Sequence, residues 1–187
     1  MTRFRSCRMA LGSVVFVAAV GLMAGALPAM AATAPQQTGR VQVQASCSTA
    51  YLPLPDPSCT PGATNPDVSQ STIGSTICVS GWTATVRPPT SYTNGLKRQG
   101  IIDYGYSDTS LSSYEEDHLL PLELGGAPRD PRNLWPEPHA GNQNAYSKDG
   151  IENAVKKAVC NRRVTLADAQ AAMLHDWTTA KSVLGIG

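Results

Sequence analysis

Residues 114–138 read YEEDHLLPLELGGAPRDPRNLWPEP, and NAYSKD follows at 144–149. An Asp117-His118 pair opens the stretch, and Leu119, Leu120, Leu122 and Leu124 carry an apolar run to Gly125-Gly126, where the chain turns. Asn133-Leu134-Trp135 supplies a second short extended run before Pro136. This is the pattern of a hairpin with a long Pro- and Gly-containing loop that leads directly into a helix. Such a unit brings the start of its first strand, its second strand and the N-terminal turn of the helix together.

Downstream, Ile151, Ala154, Val155, Ala158 and Val159 recur at helical spacing. They predict a helix from about Asn144 or Ser147 to Cys160 with one apolar face. Lys148, Lys156 and Lys157 are assigned to the opposite face, and Arg162 and Arg163 follow its end. Thr165 reads as the N-cap of a last helix with Asp168 in its first turn and an apolar stripe of Leu166, Ala169, Met173 and Trp177. His175 and Asp176 beside that stripe read as structural surface residues. Upstream, the pattern predicts a short helix up to Cys78, a strand from Trp82 to Val86 ended by Pro88, and a short helix capped by Thr90 or Ser91 and running through Lys97. GIIDYGY at 100–106 is expected to pack under the motif. Residues 32–70, rich in Pro, Thr and Ser, predict an irregular arm pinned by cysteines.

The first 31 residues combine Arg3, Arg5 and Arg8, an apolar run, and Ala29-Met30-Ala31. That is the charge, length and cleavage chemistry of a secretory signal peptide. A membrane anchor is the competing reading of an apolar run of about 20 residues, but Gly12, Gly21, Gly25 and Pro28 interrupt it. The chain is therefore expected outside the cytoplasm, with no stable membrane association after cleavage. Removing those three arginines leaves 15 less 3, or 12, basic residues against 14 acidic ones, a formal net of −2. A molecule-wide basic field is excluded, so any nucleic-acid contact needs a local patch. Cys47, Cys59, Cys78 and Cys160 remain, an even number in an exported chain, and predict two disulfides. Of the three pairings open to four cysteines, Cys47–Cys59 with Cys78–Cys160 is favoured. The fold class expected is α+β: a small, mainly helical, disulfide-stabilised domain over 71–187.

DHLLPLELGG, then RNLWP, then Asn144 and Lys148 in N-x3-K order, resembles the HNH, or ββα-metal, nuclease superfamily. It is especially similar to small exported proteins carrying EEDHLIPLELGG and NLWPE. The core of the resemblance covers about 114–160, and likeness to the exported group extends back to CTPGATNP and forward to Trp177. The ordered combination is more specific than D-H-x2-P alone.

The resemblance implies a ββα-metal hairpin-helix unit and a phosphodiesterase cutting DNA or RNA with low sequence specificity. It implies that Asp117 is a metal ligand, a carboxylate suited to a hard cation, and that His118 is the general base. Asn133 is expected to brace the loop carrying the base. Asn144 stands at the remaining metal position, where many members have His, and favours Mg2+ or Mn2+, with Zn2+ as the alternative; Asn142 and His139 compete with it for that role. Lys148, Lys156 and Arg162 are the cations expected to hold substrate phosphate, in a monomer. An exported non-catalytic module that keeps the hairpin is the alternative function, and a toxin domain with a cognate inhibitor would share the nuclease chemistry.

Overall fold

The two strands that the motif predicts pair with each other and form the whole sheet among the described residues. In the computed structural model, which describes residues 46–187, β1 (Tyr114–His118) runs antiparallel to β2 (Leu134–Pro138). Tyr114 faces Pro138, and His118 faces Leu134. The expected signal peptide and the first part of the arm lie outside the described residues. Five α-helices accompany the sheet among them: α1 (Trp82–Val86), α2 (Thr90–Asp103), α3 (Ala145–Cys160), α4 (Leu166–Asp176) and α5 (Ala180–Val183). The class is α+β, as expected, and the Cys47–Cys59 and Cys78–Cys160 disulfides are both formed. Among the described residues no helix is long and apolar enough to cross a membrane.

Three local expectations are corrected. Trp82–Val86 is a helix, not a strand. Strand formation by β-branched residues depends on a pairing partner, and the only described sheet is closed to β1 and β2; the Arg87 amide instead bonds to the Thr83 carbonyl. The short helix expected to reach Lys97 runs on to Asp103 and absorbs the start of GIIDYGY. Gly100 permits this helix to cross the sheet closely, since a Cβ there would lie 2.7 Å from Pro136 Cδ. The apolar run after His118 is not extended. Pro121 cannot donate to a ladder, and Leu122–Leu124 forms one 3-10 turn that ends at Gly125 with φ +78°.

The apolar core lies between that turn, α3, α4 and α5, and includes Ile77, Leu120, Leu124, Val155, Val159, Ala169, Met173 and Trp177. The α3 and α4 contributors follow the 3.6-residue period read from the sequence. Tyr104, Tyr106, Tyr114 and Trp135 make a second, aromatic contact set beside the sheet. Residues 46–70 are largely irregular, yet they are built into this unit. Thr64 bridges to Gly126, the Gly62 amide bonds to the Arg132 carbonyl, and Val68 enters the core.

Candidate active site

Alternation along β1 sends His118 and Asp117 to opposite faces of the strand, and the two side chains enter unlike surroundings. His118 is 3 % exposed, and its Nε2 lies 3.0 Å from the Pro128 carbonyl. A carbonyl only accepts, so Nε2 carries the proton and Nδ1 carries the lone pair. Among the described residues Nδ1 has no hydrogen-bond partner. Burial pushes the imidazole below its ordinary value, against the Pro128 contact and the Asp117 charge, which favour the protonated ring.

The loop that carries Pro128 is tied down by Asn133, which is fully buried at the end of the 3-10 turn preceding β2. Its Oδ1 accepts from the Leu120 amide at 2.9 Å and the Ala63 amide at 3.4 Å. Its Nδ2 donates to the Leu120 carbonyl at 2.9 Å and the Ala127 carbonyl at 3.2 Å. One amide thus replaces the strand pairing that Pro121 forbids. Gly126 makes room for it, since a Cβ there would fall 1.8 Å from Leu120 O.

On the other face, Asp117 meets Lys148 of α3. Lys148 is completely buried, and its Nζ donates to Asp117 Oδ2 at 2.5 Å, to the His118 carbonyl at 2.9 Å and to Glu152 Oε1. Glu137 of β2, 1 % exposed, lies within hydrogen-bonding reach of Asp117. Burial alone would raise Asp117, but the Lys148 ammonium and the bonds from Glu137 and Lys148 hold it well below the carboxylate range. Burial and the Asp117 charge push Glu137 up to about 10, so it stands protonated and donates to Asp117. Burial would also lower Lys148, yet Asp117, Glu152 and Glu137 together drive it above its ordinary value.

Lys148 was assigned to the solvated face of α3 and to substrate phosphate; its burial removes it from both. Its spacing already held the signal, since Lys148 lies seven residues before Val155 and shares the buried stripe of Ala145, Val155 and Ala158. Lys156 pairs with Glu123 at 3.6 Å. Arg162 sits past the far end of α3, in a turn with φ +57°, and lines a cavity with Arg163 and Thr165. The cluster of expected phosphate cations is therefore not assembled beside His118. Arg87, which sequence reasoning passed over, is exposed, and its charge reaches Glu115, His118 and Asp149. Glu137 and Glu152 were also missed, one inside a proline-flanked strand and the other one helical turn beyond Lys148.

Asn144 caps α3. Its Oδ1 accepts from the Ser147 amide at 3.0 Å, the Ser147 hydroxyl accepts the Asn144 amide in return, and Nδ2 donates to the His139 and Gly141 carbonyls. Of its competitors, His139 Nδ1 donates to the Ser112 carbonyl at 3.0 Å and its ring stacks on Tyr146. Asn142 lines an open cavity beside Glu137. His175 is exposed on α4, and Asp176 caps the following turn through Thr178. Asp117 and Asn144 do not fit as a pair of metal ligands, because Lys148 holds one Asp117 oxygen and the helix cap holds the Asn144 oxygen. Among the described residues no group of three His, Cys, Asp or Glu side chains is arranged to hold a metal ion. Comparison of the chain with protein-family models, with curated proteins and with solved structures gave no match.

Proposed function

We propose that this chain is an exported phosphodiester hydrolase of the HNH type, acting on the backbone of DNA or RNA with low sequence specificity. The observation that carries the proposal is the state of His118: Nε2–H is spent on Pro128, and Nδ1 is left as a proton acceptor with a depressed pKa, neutral at physiological pH. His118 Nδ1 takes a proton from water as the water oxygen bonds to phosphorus, and the bond from phosphorus to the leaving oxygen breaks. Asn133 acts through the Leu120–Ala127 backbone and keeps the base in place. Arg87 is the exposed cation assigned to phosphate charge on this side of the molecule. The Mg2+ or Mn2+ that the resemblance implies would act as a Lewis acid on the phosphate; since its proposed ligands do not fit, no step is routed through it.

A second reading has its own support. His118 is nearly closed to solvent, and the Asp117 charge is met by an internal ammonium, which suits an exported non-catalytic module that keeps the hairpin for stability or for binding. Plasmid DNA and single-stranded RNA incubated with wild type and His118→Ala, with Mg2+, Mn2+, Zn2+ or no added ion, separate the two. The hydrolase turns over substrate and loses about 10²- to 10⁴-fold of that rate in His118→Ala; the module shows no turnover under any of these conditions.

A further inference from the structure

Glu116, at the middle of β1, is 9 % exposed, and its Oε2 is buried with no hydrogen-bond partner among the described residues. Lys97 of α2 is the cation whose charge reaches it, but two of the Lys97 N–H groups are spent on the Leu111 and Tyr114 carbonyls. The nearby Tyr104 hydroxyl accepts the Asp56 amide at 3.2 Å and is shared with Thr60 at 3.0 Å. A buried carboxyl without a donor is costly, and a ligand that brings a donor recovers that cost. The carboxyl is also within reach of one. It lines a cavity of about 300 Å³ between α2 and the sheet, with Leu96 and Tyr104 on one side and Leu134 and Pro136 on the other. Asp103 lines the same cavity, with Gln99 Nε2 donating to its Oδ1 at 2.8 Å. Among the described residues no lysine or arginine lines it. Apolar walls with two acids and no lining cation select a ligand that joins positive charge to an apolar body.

We propose that this cavity is a binding site for an alkylammonium, whose N–H groups donate to Glu116 and whose apolar stem packs against Leu96, Leu134 and Pro136. An ammonium brings three donors and the opposite charge, and its attraction to a carboxylate shielded from water exceeds that to an exposed one. A bare divalent metal ion does not suit the cavity, because most of the wall around Glu116 offers carbon where such an ion needs six or more oxygen ligands. The inference goes beyond the hydrolase reading and does not depend on it: the cavity lies between α2 and the sheet and needs no cleavage to be occupied.

The test is titration of the full chain, with both disulfides formed, followed through the Leu96 and Leu134 methyl signals by NMR. The probes are butylammonium, butanol as its uncharged counterpart of the same shape, and Nα-acetyl-lysine amide, which carries the same ammonium and stem on a peptide unit. At about pH 8.5 alkylamines are still protonated, and Glu116, raised to about 8, is ionised before the ligand enters. Butylammonium is expected to shift both methyl signals saturably with a Kd of about 1 mM or tighter. Butanol on wild type, and butylammonium on Glu116→Gln, are each expected to bind about tenfold more weakly or worse, the loss of one charge-assisted hydrogen bond. Nα-acetyl-lysine amide separates the sources: binding as tight as that of butylammonium assigns the site to a lysine side chain, and weaker binding to a free amine, and both support the proposal. It is overturned by the absence of a saturable shift up to about 10 mM butylammonium, by butanol binding as tightly, or by a folded Glu116→Gln that binds butylammonium as wild type does. Should Glu116→Gln not fold, the comparison of butylammonium with butanol on wild type decides.

Discussion

On the Asn133 side of β1, one neutral side chain meets only backbone partners and every polar atom of it is engaged; on the Asp117 side, one ammonium serves several acids and Glu137 is left without a donor of its own. Both solve the same problem, the burial of polar groups beside a two-stranded sheet too small to pair its own loops. The amide solution is local, pH-independent and geometrically strict. The ionic solution links three elements but depends on protonation, because burying charge costs several kcal/mol per ion unless each is matched. The strict face holds the proposed base, and the adjustable face holds β1 against α3.

The largest stability loss is expected where α3 is anchored. Opening Cys78–Cys160 as Cys78→Ser with Cys160→Ser releases a loop with a sequence separation of 82 residues and should cost about 4–5 kcal/mol in the chain-entropy account, read as a fall in the urea midpoint. The ionic face is broken next by Lys148→Met, at a cost of about 3–5 kcal/mol for leaving buried carboxylates unmatched. Its pH dependence has a definite sign. Asp117 is depressed in the folded chain, so the stability it contributes is present above the ordinary carboxylate value and lost as pH falls below it. The gap between wild type and Lys148→Met should therefore be widest at neutral pH and narrow below about pH 4.

On the neutral face, Asn133→Ala leaves the Leu120 amide and the Leu120 and Ala127 carbonyls unpaired and should cost at least about 3 kcal/mol, at about 1–3 kcal/mol per buried group. That loss should be the same at pH 5 and pH 8; a strong pH dependence would erase the distinction between the faces. A pH-dependent effect of the opposite sign to that of Asp117 is expected at Glu116, whose buried carboxyl is raised by desolvation to about 8 despite Lys97. Its neutral form stabilises the fold fully below about 4.5, and that stability is lost as pH rises through about 8. Urea midpoints at pH 5 and pH 8.5 should fall less in Glu116→Gln than in wild type.

The sequence made the frame of this molecule legible where the signal was local. Thr165 accepts from the Asp168 amide as an N-cap should, Asn144 marks the start of α3, and Leu134 and Trp135 fall in β2. It misled where a segment depended on partners far along the chain. Trp82–Val86 has strand composition and no strand to join. The leucines after His118 lose their ladder to Pro121 and regain it through Asn133. Lys148 was the costliest misreading: a lysine is almost always solvated, and only its place in the helical stripe, with Glu152 one turn on and Asp117 some thirty residues back, makes it internal. The pairing of Glu137 with Asp117 needed the strand register, which puts Glu137 opposite Glu115 and Trp135 opposite Asp117.

The account assigns proton transfer to the His118 face and charge compensation to Lys148 on the Asp117 face, and cleavage of plasmid DNA and RNA by wild type and His118→Ala across pH, with Mg2+ or Mn2+ and without added ion, tests the first of these most directly. The expected result is cleavage that falls by about 10²- to 10⁴-fold in His118→Ala and, in wild type, rises with pH with a midpoint below the ordinary histidine value, since burial depresses His118. Equal rates for the two proteins at every pH would contradict it.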